Sequence, residues 1–176
     1  MIARPILLAA AFAFNLWSAG AAAQETTDSQ AAGFDETRII DQLDDSTLRA
    51  VLTQLSATAT PLDEESTILR IAFPNGLVGI SRRIACTAQD ACKGLMLTAY
   101  IPVPEGMPEA RSQEVRQQFG LESLVASVVV NQLGEHVVKT YVILDGGITS
   151  ANLAIWIGLF SESARAYQEA LYAGAP

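Results

Sequence analysis

The chain has 176 residues, 50% of them hydrophobic and 17% charged, with 11 Lys+Arg against 19 Asp+Glu for a formal charge of −8. An acidic chain with no basic cluster is a poor nucleic-acid binder, because neutralising phosphates takes clustered Lys and Arg. Two cysteines and one histidine are too few for a four-ligand Cys/His zinc site.

Met1 to Ala23 begins with the positive Arg4 and continues through an apolar run, Pro5 to Trp17, broken only by Asn15. Small residues follow, ending Ala21-Ala22-Ala23. This is the layout of a cleaved secretory signal, with cleavage expected after Ala23. The alternative is a retained anchor, but the run falls short of the ~20 apolar residues that a span needs. The expectation is a periplasmic or secreted protein, with no membrane association after cleavage. Gln24 to Asp35 is polar and without apolar period, and reads as a disordered tail. Residues 36–176 are the size of one ordinary domain.

Ile40, Leu43, Leu48, Val51, Leu52 and Leu55 recur mostly at spacings of three and four. This predicts a helix over about Asp45–Ala57, with Asp44-Asp45-Ser46 supplying the N-cap. Thr58 to Glu65 is mostly polar, contains Pro61 and reads as a loop. Its acids Asp63, Glu64 and Glu65 are read as solvated, with calcium as the weaker alternative. Thr67–Phe73, Leu77–Ala85 and Gly94–Val103 are rich in β-formers and predict a three-strand meander. Pro74-Asn75-Gly76 turns the first hairpin. Glu109–Phe119 predicts a short, half-exposed helix anchored by Val115 and Phe119 and ended by Gly120. Leu124–Val130 and His136–Leu144 predict a second strand pair. Asp145-Gly146-Gly147 breaks it before a final helix capped by Thr149 or Ser150.

That helix carries the stripe Leu153, Trp156, Ile157, Phe160, Ala164, Tyr167 and Leu171. Ile155 and Leu159 form a second apolar stripe away from the first. Two readings stand: burial inside the monomer, or a partner surface, since exposed apolar patches mark contacts. The element order is α-β-β-β-α-β-β-α. It predicts an α+β domain with an antiparallel sheet of about five strands and helices on one face.

Cys86 and Cys92 bracket CTAQDAC between two predicted strands. In an exported chain the simplest reading is a structural disulfide, which the chain-entropy account values at roughly 2 kcal/mol for so short a loop. A redox pair or free thiols are the alternatives.

The paired cysteines followed by Gly94-Leu95-Met96-Leu97 carry one half of a family resemblance. Val130-Asn131, Val138 to Leu144, Asp145-Gly146-Gly147-Ile148-Thr149 and Asn152-Leu153 carry the other. On these, the stretch from Asp45 to Leu171 resembles the YbjN family of bacterial proteins, labelled sensory transduction regulators. In element order it also resembles the type III secretion chaperone-like fold. The resemblance implies no catalytic residue. Through the chaperones, it implies homodimers that bind extended segments of partner proteins.

The residues offer little chemistry. His136, at a predicted hairpin start, reads as a solvated turn residue. Asp145 is most simply turn chemistry, with a ligand contact, shared with Asn152, as the alternative. Arg82 and Arg83 should point to opposite sheet faces. No G-x-S-x-G elbow, phosphate loop or dinucleotide fingerprint occurs. No cofactor or metal is expected. The expected function is an exported, non-enzymatic, dimeric protein-binding domain, chaperone-like or regulatory, with Ile155 and Leu159 as partner contacts. A small-molecule sensor of the cell envelope is the alternative.

Overall fold

The computed structural model describes residues 34–62, 67–87 and 91–173. The expected signal segment, most of the expected tail and the Asp63-Glu64-Glu65 loop lie outside these residues.

Six strands form one antiparallel sheet. They are β2 (Thr58–Pro61), β3 (Ile68–Ala72), β4 (Val78–Cys86), β5 (Cys92–Ile101), β6 (Ser127–Val130) and β7 (His136–Ile143), in the spatial order β2-β3-β4-β5-β7-β6. β1 (Ile39–Ile40) and β8 (Ile148–Thr149) form a separate two-stranded ribbon. The described residues also hold three helices: α1 (Asp45–Gln54), α2 (Glu109–Glu122) and α3 (Ser150–Tyr172).

Alternation decides which face is covered. Leu95, Leu97, Ala99 and Ile101 of β5 are buried, as are Leu69 and Ile71 of β3 and Val138 and Val142 of β7. Their cross-strand pairing puts them on one face. The helices supply the opposing layer, with Leu48, Val51 and Leu52 from α1, Val115 from α2, and Leu153, Ile157, Phe160, Ala164, Tyr167 and Leu171 from α3. Phe73 of the first hairpin meets Phe160 at 6.4 Å between ring centroids. Arg83 is buried on this covered side while Arg82 is exposed, as the strand alternation requires.

The predicted meander is β3, β4 and β5, and Cys86 pairs with Cys92 both in strand register and as a disulfide. Gly76 turns the first hairpin with φ +83°, and Asn75 Oδ1 accepts from the Leu77 amide at 3.1 Å. Asn75 Nδ2 also donates to Ser161 Oγ of α3 at 2.9 Å, so the turn fastens the sheet to the helix.

Three expectations are corrected. Thr58–Pro61, read as loop, is the edge strand β2, paired to β3 from Thr58↔Ala72 to Pro61↔Leu69. An edge strand can be polar, and it tolerates proline because one row of its amides needs no partner. Gly120 does not end α2, which runs on to Glu122; the half-exposed helix has no packing reason to stop there. Phe34 and Asp35, placed in the tail, belong to the folded unit. Phe34 packs on the core, and Asp35 accepts from the Thr37 amide and hydroxyl.

The segment 34–40 also closes the N-terminus of α3. Helix starts leave amides without intrahelical partners. Here the Ser150 amide donates to Arg38 O at 2.9 Å and the Ala151 amide to Glu36 O at 3.1 Å. The Asn152 amide donates to the capping Thr149 hydroxyl at 3.1 Å. Gly146 and Gly147 both have positive φ, +89° and +82°, just before this junction. A Cβ on Gly147 would sit 2.6 Å from Ile39 Cγ2, whereas one on Gly146 would meet nothing within 4 Å. G147A should therefore lose clearly more stability than G146A, which carries the backbone penalty alone. Urea denaturation of the two variants checks this; equal losses would mean that the ribbon contact is unimportant.

Candidate functional site

Ile155 and Leu159 are 57% and 40% exposed, while Leu153, Ile157 and Phe160 on the other stripe of the same helix are completely buried. The two exposed side chains line an open groove of about 490 Å³ between α1 and α3. Its floor is apolar and small: Leu55 from the end of α1, and Ala151, Ala154 and Gly158 from α3. Glu36 and Glu162 stand at its rim. Gly158 adds to the space, since a Cβ there would stand at ordinary contact distance, 3.9 Å, from Leu55 Cδ2. Burial of this stripe inside the monomer, one of the two sequence readings, does not occur.

The other predicted positions do not gather with these. Asp145 forms an exposed ion pair with Lys93 at 2.9 Å. The hydrogen bond from Lys93, and then its charge, hold the carboxyl below the usual carboxylate range, and the same contact raises the lysine in turn. The Asn152 amide is used in the α3 cap. Neither residue lines the groove.

His136 is the larger correction. It is 1% exposed, not a solvated turn residue. It heads β7 opposite Ile101 and faces the helices. Its Nδ1 shares a short hydrogen bond with the Tyr167 hydroxyl of α3. Its Nε2 lies 3.1 Å from Ser112 Oγ of α2. All three residues are buried. A neutral imidazole holds one proton, so it donates one of these bonds and accepts the other, and the hydroxyls rotate to suit. Phe119 packs edge-on against Tyr167 at 4.9 Å. The node thus joins sheet, α2 and α3 without an unpaired ring nitrogen. No sequence motif signals it, because its three members are scattered along the chain.

Beside the node is a cleft of about 310 Å³ between α2 and α3, lined by Val115, Phe119, Tyr167 and Ala170, with Arg111 and Glu122 among its polar residues. Among the described residues no three His, Cys, Asp or Glu side chains come together as metal ligands, and no helix is long and apolar enough to cross a membrane.

No family profile matches the chain, and no curated protein matches it in sequence. Among solved structures it is similar to E. coli YbjN, described as a candidate transcription regulator. The TM-score is 0.55 at 15% identity, covering 71% of this chain and 89% of that one. The HopA1–SchA chaperone–effector complex gives a TM-score of 0.48 at 11% identity, covering 72% of this chain and 98% of that one. The fold is an α+β domain with helices on one face of an antiparallel sheet. More particularly it is the YbjN-like fold, as the residue resemblance implied.

The node gives stability a pH dependence. Burial, and then the Arg116 charge, push His136 below the usual imidazole value. The unfolded chain therefore takes up the proton first. Stability should be complete above about pH 6.5 and fall as pH drops below it towards the folded value. Burial pushes Tyr167 up to about 12, so its contribution is present below about pH 10 and is lost as pH rises through 12. Urea midpoints between pH 5 and 8 should slope downward towards acid in the native chain and flatten in His136→Gln. The high-pH loss should shrink in Tyr167→Phe.

Proposed function

We propose that this chain is an exported, non-enzymatic binding protein that takes a protein partner in the groove between α1 and α3 and works as a dimer, in a chaperone-like or regulatory role. One observation carries the reading: a single helix is fully buried along one stripe yet presents Ile155 and Leu159 to solvent in an open apolar groove. Exposed apolar surface of this kind is costly to keep unless something covers it. The YbjN-like fold fits the reading, since its solved representative is described as a regulator and not as an enzyme. Export rests on the N-terminal pattern of Arg4, the Pro5–Trp17 run and the small residues to Ala23.

A second reading, small-molecule binding, has its own observation in the cleft between α2 and α3. Its volume of about 310 Å³ falls at the lower end of ligand-sized sites. Ligand capture there would shift the thermal transition, and Phe119→Ala would reduce the shift.

The leading reading is tested by a photo-crosslinker placed at Glu162 on the groove rim in intact cells, with light scattering on the purified protein. A defined crosslinked species and a dimer are expected. Ile155→Asp with Leu159→Asp should abolish the crosslinked species, with no more than about 1 kcal/mol lost from stability for the two together, because both sites are exposed. A strict monomer that crosslinks to nothing overturns the reading.

A further inference from the structure

Among the described residues nothing covers the face of the sheet turned away from the helices, and its chemistry is unlike that of the rest of the molecule. Its cross-strand rows follow from the register. One row runs Thr60, Arg70, Ile80, Thr98, Lys139, Ser127 across all six strands. The next runs Ile68, Arg82, Met96, Tyr141, and the one beyond pairs Ile84 with Gly94 and Gly94 with Ile143. Tyr141 is 53% and Ile143 74% exposed. Ile84 lies across Gly94, where a Cβ would be 2.9 Å from its Cγ1, so the centre of the face is flat.

The charge is one-sided. The six strands contain no Asp or Glu. Arg70, Arg82 and Lys139 point outward among the apolar side chains and form no salt bridge with a described residue. A chain of net charge −8 thus carries, on this sheet face, three cations without an acidic partner among the described residues.

We propose that this outer face is a docking surface for an acidic amphipathic helix of a partner protein, separate from the groove on the helical side. A sheet with one bare apolar face is completed by a helical layer, and the three cations select carboxylates flanking the helix's apolar stripe. Arg70 and Lys139 stand three strand spacings apart, ~14 Å, which spans ~9 residues of helix. A second copy seated through the same face would bring cations against cations, because a two-fold contact sets a patch against itself. An anionic membrane would meet the net negative charge of the whole chain.

The test is fluorescence anisotropy of the full chain with a labelled helix of about 18 residues, ~27 Å long, whose leucine stripe is flanked by glutamates. Its counterpart carries lysine at every glutamate position. The glutamate peptide should bind and the lysine peptide should not. Arg82→Glu should weaken binding about tenfold with an unchanged circular dichroism spectrum. Tyr141→Ser should weaken it without altering charge. Ile155→Asp with Leu159→Asp should leave it intact, so this face and the groove can fail independently. Equal binding of the two peptides, binding of neither, or indifference to both Arg82→Glu and Tyr141→Ser overturns the proposal. So does tighter binding to phosphatidylglycerol vesicles than to the peptide, or a dimer that Arg82→Glu dissolves.

Discussion

The structure depends on one helix being buried along a single stripe. α3 runs from Ser150 to Tyr172 across the covered face of the sheet. Leu153, Ile157, Phe160, Ala164, Tyr167 and Leu171 are all sealed in the interface. Hydrophobic burial alone is non-directional and would let a smooth stripe slide. Three directional contacts stop it. Carbonyls of Glu36 and Arg38 take the first amides of the helix, Asn75 holds Ser161 in the middle, and His136 holds Tyr167 near the end. Rotation and translation of α3 are thereby fixed, and so is what its unburied stripe presents to solvent.

The covered face accounts for the rest of the surface. The three described helices pack on one side, and the sheet is six strands wide, so among the described residues its other side carries no layer. The open groove has a different origin. α1 ends at Gln54, and Leu55 with the small residues Ala151, Ala154 and Gly158 leaves a gap that no side chain fills. One surface is a gap between helices rimmed by acids, and the other is a flat strand face carrying cations. Their opposite electrostatics follow from where carboxylates are tolerated. Helix starts, turns and loops accept Asp and Glu as caps and solvated groups, and the described carboxylates lie there or on exposed helix positions such as Glu114, Glu122, Glu162 and Glu169. The strands hold none.

How much was legible follows from the same physics. Strands buried on one face announce themselves by alternation, so the meander and the β6–β7 pair were readable. So was the final helix, whose two stripes were separated correctly, although Trp156, assigned to the buried one, is 37% exposed. The disulfide was readable from its spacing and setting. β2 was not, because an edge strand of Thr, Ala, Thr and Pro buries too little to impose a pattern; only its pairing with β3 makes it a strand. The 34–40 clamp was invisible for a related reason: it works through backbone carbonyls, which leave no residue signature. His136 misled because a lone imidazole beside Gly134 and Glu135 looks like a turn residue. Its partners Ser112 and Tyr167 lie on two helices that sequence proximity does not connect.

The His136 node shows why a polar cluster can persist where apolar packing would serve. Tyr167, Ser112 and the imidazole occupy volume that three hydrophobic side chains could fill, and such replacements in cores are often neutral or stabilising. What apolar substitutes would lack is direction. α2 has few other fixings: its buried residues are only Ser112 and Val115, and its N-cap Pro108 makes no side-chain cap bond. A helix held by so little apolar surface is free to shift by a turn, unless a bond with angular preference names its position. Ser112, bonded across the interior to His136, supplies that. The node therefore sets the register of the least hydrophobic element, and with it the width of the cleft between α2 and α3.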